Sequence, residues 1–187
     1  GPFIVGSLIS CRTGSNDGKV DGNTTDTSVT IENTAPTLDT ISISPMVNIE
    51  ADTLMTCEAT ASDLDNEVLT ITYAWTKSDG TVLGTEDELQ LDAAMVSPGD
   101  SIACTATATD PHGASDSLGQ TTSVINTDPV VDSAAEITGD ATTTSTLVCV
   151  ATFSDLNDGT LTPTFSWTNQ IGTELSTTDS YTIAASE

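Results

Sequence analysis

Apolar and polar residues alternate along several short runs of this chain. In one run, Ile102, Cys104 and Ala106 share one side of an extended chain, and Thr105 and Thr107 lie on the other. The runs with this period are residues 38–45, 53–62, 68–77, 87–92, 100–109 and 117–125. Because successive side chains of a strand point to opposite faces, the pattern predicts β-strands with one buried face. Turn residues separate the runs and no useful helical period is present, so we expect an all-β sandwich.

The cysteines, tryptophans and two prolines recur with a period of about half the chain. The recurring pairs, which lie 92 or 93 positions apart, are Cys11/Cys104, Cys57/Cys149, Trp75/Trp167 and Pro36/Pro129. A fixed long period indicates an array of like domains. Its phase predicts that residues 1–33 are the last part of one repeat, residues 34–127 a complete repeat, and residues 128–187 the first two thirds of the next. The chain is then either part of a longer polypeptide or a subunit whose ends are completed by its neighbours.

The chain is strongly acidic. Of its 187 residues, 28 are Asp or Glu and three are Lys or Arg, which gives a formal net charge of −25. This charge argues against nucleic acid and anionic membrane surfaces as partners, because both would be repelled. No apolar run of about 18 residues occurs, so we expect no direct membrane insertion. The acids indicate either simple solubility or binding of divalent cations, and the two interpretations are compatible.

The order Cys57, Trp75, Cys104 resembles that of immunoglobulin-like (Ig-like) sandwiches, although Ile102 stands where antibody domains have a corner tyrosine. Segments such as Ala59–Asp65 and Cys104–Pro111 are similar to the Ig-like and polycystic-kidney-disease-type repeats of large bacterial surface proteins. The resemblance implies tandem sandwiches, an inter-sheet disulfide between Cys57 and Cys104, and core packing of Trp75 against it.

The same resemblance leaves Cys11 and Cys149 without partners in their own repeats. Each would bond to a neighbouring repeat of a longer chain or to another subunit, or remain a free thiol, or the two would bond within one chain. Trp167, like Trp75, is expected in a core rather than on a sugar-binding surface. Four cysteines at recurring positions favour a disulfide framework and hence an extracellular or cell-surface location.

Acidic and amide residues cluster in the loops that meet at one end of such a sandwich. They are Asn33, Asp63, Asp65, Glu67 and Asp110 in the complete repeat, and Asn126, Asp128, Asp155, Asn157 and Asp158 in the next. Calcium prefers such hard oxygen ligands, so these residues are candidates for a calcium site at each junction, as in cadherin-like arrays. Ordinary turn chemistry, in which Asp side chains bond nearby amides, is the alternative.

No nucleophile, base and acid set is visible, and His112, the single histidine, lies in a predicted loop. We therefore expect no enzyme and no required cofactor. The expected function is a structural array, an extracellular stalk or filament. Its partners would be copies of the chain, or adjacent repeats of a longer one, joined end to end. An adhesin or a polysaccharide-binding accessory module is the alternative, and it requires exposed aromatic residues that the sequence does not place on loops.

Overall fold

A computed structural model describes residues 4–185 of the chain, and this part is all-β. Its strands are β1 (Leu8–Asn16), β2 (Asp21–Thr30), β3 (Thr37–Ser44), β4 (Leu54–Ser62), β5 (Thr70–Lys77), β6 (Val82–Gly84), β7 (Glu88–Gln90), β8 (Ser101–Thr109), β9 (Ser115–Ser123), β10 (Val130–Thr138), β11 (Thr146–Asp155), β12 (Gly159–Leu161), β13 (Trp167–Thr168), β14 (Glu174–Ser176) and β15 (Ser180–Thr182). No helix that could cross a bilayer occurs between residues 4 and 185.

The alternating runs are confirmed as strands. The six predicted runs correspond to β3, β4, β5, β7, β8 and β9, with bounds that differ by at most two residues. Strand β6 was not predicted, because its residues Val82–Gly84 do not alternate between apolar and polar side chains. The described residues divide into two compact units. The first contains the residues up to 47 with 54–90 and 101–122, and the second contains 48–53, 91–100 and the residues from 123 onward.

The first unit contains a hairpin and two larger sheets. The hairpin pairs β1 with β2, with Cys11 opposite Thr27, and every residue of both strands is exposed. Its turn is set by Asp17, whose carboxylate accepts the Lys19 and Val20 amides at 2.9 and 3.0 Å. An isolated two-stranded hairpin is marginally stable in water, so β1 and β2 lack the support that a larger sheet would give them.

The two larger sheets of this unit have the orders β3-β4-β7 and β6-β5-β8-β9. Alternate residues of β8 are buried, which fits the alternating pattern of its sequence. The disulfide between Cys57 on β4 and Cys104 on β8 joins the two sheets, and Trp75 on β5 lies opposite Cys104 in the ladder. The buried apolar residues of this unit are Leu38, Ile43, Met55, Cys57, Trp75, Leu89, Ile102, Cys104, Ala106 and Ala108.

The second unit contains the strands from β10 onward. Strand β11 pairs with β10, β12 and β15, and β13 pairs with β14 in a separate two-stranded sheet. The loop segments of this unit hold its buried apolar residues, which are Ile49, Ala51, Leu91, Val96 and Val124. Strands β10 to β15 contain no fully buried apolar side chain, and Ile137 on β10 is 60% exposed.

Several strand bounds recur at the period of the sequence. Strand β1 (Leu8–Asn16) lies 93 positions before β8 (Ser101–Thr109), and β14 and β15 lie 92 positions after β6 and β7. The hydrogen bonds recur as well. The Cys57 amide donates to the Asp87 carbonyl, and the Cys149 amide donates to the Asp179 carbonyl, both at 2.8 Å. Local chain conformation therefore recurs at these segments, although β13 has two residues where β5 has eight.

Candidate functional site

Three acids from separate loops converge in the first unit. Asp63 follows the last residue of β4, Asp110 follows the last residue of β8, and Glu67 precedes β5. One carboxylate oxygen of each residue lies within 4.8 Å of the others. We call these three residues with Asn33 the loop cluster.

Asp110 is the most buried acid of the loop cluster, with 5% of its surface exposed. Its Oδ1 accepts the amides of His112 and Ala114, both at 2.9 Å, and its Oδ2 accepts the Asn33 side-chain amide at 2.7 Å. The Asn33 hydrogen bond, with the backbone amides, holds the pKa of Asp110 below its usual range despite burial. Asp110 is therefore a charged carboxylate at neutral pH.

Asp63 and Glu67 each use one oxygen and leave the other unpaired. The Oδ1 of Asp63 accepts the Asp65 amide at 2.6 Å, and the turn continues through Asn66, which has a positive φ of 59°. The Oε1 of Glu67 lies 2.9 Å from Nε2 of His112. The Asp63 bond is the turn chemistry that the sequence offered as an alternative to metal binding. The second carboxylate oxygens of Asp63 and Glu67 remain available as ligands.

Three oxygens of the loop cluster are enclosed and have no hydrogen-bond partner among the described residues. They are Oδ1 of Asn33, Oδ2 of Asp63 and Oε2 of Glu67. Enclosed polar atoms in folded proteins are nearly always paired with protein, water or an ion. Carboxylate and amide oxygens are the ligands that calcium prefers, so the donor set fits a hard divalent cation.

The other predicted ligand of this repeat, Asp65, is not part of the loop cluster. Its Oδ2 accepts the Thr34 amide at 2.7 Å and so ties the linker before β3 to the loop after β4. His112 is a contact that the sequence did not indicate, because Glu67 lies 45 positions earlier. Only the folded loops bring the two side chains together.

The equivalent set in the second unit is arranged around Thr127. Asn157 Oδ1 accepts the Thr127 amide at 2.9 Å, and Asp155 Oδ1 accepts the Thr127 hydroxyl at 3.2 Å and the Asn157 amide at 2.7 Å. The remaining candidates, Asn126, Asp128 and Asp158, are exposed. Within residues 4–185 these acids form no second three-carboxylate group, and Gly159 stands 92 positions after Glu67.

The recurring cysteines and tryptophans differ in bonding and burial. Cys57 and Cys104 are bonded and Trp75 is fully buried. Cys11 is an exposed free thiol, and Cys149 is a half-buried free thiol. A groove of about 250 Å³ lies beside Cys149. Its lining includes Ile137, Cys149, Ala151, Phe153, Phe165 and Trp167.

Comparisons with protein-family models, with curated proteins and with solved structures give no match to this chain.

Proposed function

We propose that the chain is a non-catalytic structural part of an extracellular stalk or filament. In this proposal residues 1–33 are the carboxyl-terminal part of an Ig-like repeat, 34–127 a complete repeat, and 128–187 the first two thirds of the next. The repeats join end to end, each with an inter-sheet disulfide. The surroundings are oxidising and extracellular, because disulfides persist there.

The observation that carries the proposal is that both linkers are held by the same kind of hydrogen bonds. The Thr34 amide donates to Asp65, and the Thr127 amide, 93 positions later, donates to Asn157. Pro36 and Pro129 follow, and a proline fixes its own φ and restricts the residue before it. Linkers with bonded amides and a fixed proline suit a stiff joint, which a stalk requires.

Calcium at the loop cluster is part of this proposal. Asp63, Glu67 and Asp110 would supply carboxylate oxygens, and Asn33 would supply its unpaired amide oxygen. A divalent cation there would offset the repulsion between three nearby carboxylates. Because Asn33 belongs to the linker, the ion would hold the linker and both loops together.

Backbone relaxation by nuclear magnetic resonance tests the proposal on the Cys11→Ser/Cys149→Ser chain, which lacks free thiols. With calcium, we expect the Thr34 amide to be as ordered as the strands, with an order parameter of about 0.85. Glu67→Gln should lower this value and abolish its calcium dependence. Glu58→Gln, an exposed acid on β4, is the matched control and should change neither. An order parameter below about 0.6 in the presence of calcium would show a flexible linker and contradict the stalk.

A further inference from the structure

One half of the first unit's sandwich is closed along its side, and the other half is open. Strand β7 pairs with β4 only at Leu54–Thr56, and β6 pairs with β5 only at Trp75 and Thr76. Among residues 4–185, no strand pairs with these edges of β4 and β5 beyond those positions. The segment between β6 and β7 crosses from one sheet to the other, and its Asp87 carbonyl accepts the Cys57 amide at 2.8 Å. The crossing therefore marks the limit of the closed half.

Burial differs between the two halves. In the closed half every apolar side chain between the sheets is at most 6% exposed, as for Met55, Trp75 and Leu89. In the open half several apolar side chains that pack on the core are only partly buried, among them Ala59, Ala61, Ile71 and Tyr73. A cleft of about 520 Å³ opens there, and its lining includes Ala61, Asp63, Glu67, Leu69 and Ile71. We call the unpaired edges of β4 and β5, with this cleft, the open side.

The open side presents main-chain groups of β4 that no described strand uses. The Cys57 amide points toward the β7 side, because it donates to the Asp87 carbonyl. In an antiparallel strand the main-chain groups of every second residue point to the same edge. The amides and carbonyls of Ala59 and Ala61 therefore face the open side. An unpaired edge of this kind is a template on which another strand can add.

The equivalent edge in the second unit is paired. There, β12 pairs antiparallel with β11, and Phe153 lies opposite Leu161. Phe153 stands 92 positions after Ala61. In the first unit the residues equivalent to β12 are 67–69, which form no strand, and the small Ala61 side chain leaves room beside the edge. This edge of the fold can therefore accept a strand, and in the first unit no described strand fills it.

Charge defines which kind of strand fits the open side. Residues 34–127 contain 15 acids and one basic residue, Lys77. Acids border both ends of the open β4 edge: Asp63 and Glu67 line the cleft at one end, and the exposed Glu86, Asp87 and Glu88 lie at the other. The two groups are about six strand residues apart, roughly 20 Å. A second copy of this acidic chain would be repelled, whereas a segment with Lys or Arg near each end would be attracted.

We infer that the open side binds an extended, basic segment of a partner protein by strand addition. The segment pairs antiparallel with β4 at Ala59 and Ala61, as β7 pairs with β4 and β12 pairs with β11. Its alternate apolar side chains enter the cleft beside Ile71, and its Lys or Arg side chains meet the acids at both ends. Main-chain hydrogen bonds supply affinity, and the charges select the partner. A stalk with this property holds basic partners along its side.

Titration of the full Cys11→Ser/Cys149→Ser chain with a model peptide tests the inference. The probe is the end-blocked peptide Lys-Val-Thr-Val-Thr-Val-Lys, in calcium-free buffer so that the acids stay unoccupied. Saturating peptide should slow hydrogen exchange of the Ala59 and Ala61 amides at least about tenfold, because these amides become bonded. The same peptide with Glu in place of Lys is the control for charge, and it should not bind.

Two N-methylated versions of the probe distinguish strand pairing from simple attraction between charges. One is methylated at the three valine amides and the other at the two threonine amides, and both keep every side chain and charge. Alternate amides of a strand face opposite edges, so only one version loses its hydrogen bonds to β4. That version should bind at least about tenfold more weakly than the probe, and the other within about twofold of it.

A matched pair of variants in β4 tests the same edge from the protein side. Ala59→Pro removes an amide that faces the open side, where strands tolerate proline, and it should weaken binding of the probe at least about tenfold. Ala59→Gly keeps the amide and should bind the probe nearly as the parent chain does. Circular dichroism checks that both variants are folded. If Ala59→Pro does not fold, the two N-methylated peptides decide the question on the unaltered β4.

The inference would be overturned by no binding up to about 1 mM probe, by equal affinity of the two N-methylated versions, or by equal binding of the Glu peptide. Protection at Ile71 and Tyr73 without protection at Ala59 and Ala61 would also contradict it. Protection of the β4 amides that rises with protein concentration in the absence of peptide would assign the edge to a second copy instead. Binding at this side does not depend on how the repeats join, so none of these results affects the stalk proposal.

Discussion

Trp75 and Trp167 hold equivalent strand positions and make the same hydrogen bond, yet they differ in burial. The indole of Trp75 donates to the Glu86 carbonyl and that of Trp167 donates to the Thr178 carbonyl, both at 2.9 Å. Trp75 is fully buried, whereas Trp167 is half-buried and contacts Tyr181 with ring centroids 5.9 Å apart. The indole therefore makes the same hydrogen bond in both regions, although only one of the two rings is fully buried.

The comparison distinguishes hydrogen bonding, which a short segment specifies, from burial, which a second sheet supplies. Hydrogen bonds between β13 and β14 repeat those between β5 and β6, although β8 has no counterpart among the described residues of the second unit. Burial does not repeat, because apolar side chains are removed from water only when a facing or adjoining strand covers them. Most of the stabilisation of a sheet comes from that covering.

Truncating the two tryptophans should give the largest and most unequal effects. Trp75→Ala should lower the free energy of unfolding by about 3–5 kcal/mol, the usual cost of emptying a buried aromatic site. Trp167→Ala should cost clearly less, because part of its ring is already in water. Chemical denaturation of both variants, followed by circular dichroism, measures the difference. Equal losses would show that Trp167 is as well packed as Trp75.

Removing the inter-sheet disulfide should have the next largest effect. Cys57→Ala/Cys104→Ala opens a loop of 47 residues and should cost roughly 3–4 kcal/mol of the unfolding free energy, by the entropy of loop closure. The control is Cys11→Ser/Cys149→Ser, which removes thiols that form no bond within the described chain, and it should change little. Thermal unfolding at low protein concentration compares the two. A large loss in the control would mean that the free thiols already stabilise the chain.

The linker bonds offer a smaller, paired test. Asp65→Ala removes the acceptor of the Thr34 amide, and Asn157→Ala removes the acceptor of the Thr127 amide and hydroxyl. Each should lower the local opening free energy by about 1–3 kcal/mol. The hydrogen-exchange rates of the Thr34 and Thr127 amides measure the opening of each linker separately. Exchange that is unchanged in either variant would show that its linker is held by other contacts.

Acid should distinguish two equivalent turns, with the smallest effect. Asp79 accepts the Thr81 amide after β5, whereas the uncharged Asn169 accepts the Thr173 amide after β13. The Thr81 hydrogen bond lowers the pKa of Asp79 from its ordinary 3.8. A lowered pKa adds stability above the unfolded value, and this stability is lost as pH falls through the folded value. The protection of the Thr81 amide from exchange should therefore fall below about pH 4, whereas that of the Thr173 amide should not. Asp79→Asn should remove this pH dependence.

The strands could be predicted from the sequence because burial in a sheet leaves a period of two. In β8 every second residue from Ile102 to Ala108 is fully buried, and this is the alternation that the sequence displays. The same pattern could not reveal that equivalent residues differ in burial. Cys11 and Cys104 stand in similar local sequence, but within residues 4–185 Cys104 is buried and bonded, whereas Cys11 is exposed.

The sequence could predict which residue types lie in the loops, but not which contacts each of them makes. Asp63 and Asp65 look alike in the sequence, yet Asp63 joins Glu67 and Asp110, while Asp65 turns to the linker. Asn66, in the same turn, has a left-handed conformation with a φ of 59°. Such a choice depends on backbone torsions and on contacts 31 to 77 positions away, which composition and spacing do not encode.

The Cys57–Cys104 disulfide also limits how far the proposed stalk could stretch under tension. A pull applied at Thr37 and Ser123 would be carried across the bond, and the 47-position span between the cysteines would bear no load. An oxidised repeat then extends over about 40 residues, roughly 140 Å, whereas a reduced one extends over about 87, roughly 300 Å. The redox state of one bond would therefore set whether each repeat acts as a short tether or as an energy-absorbing spring.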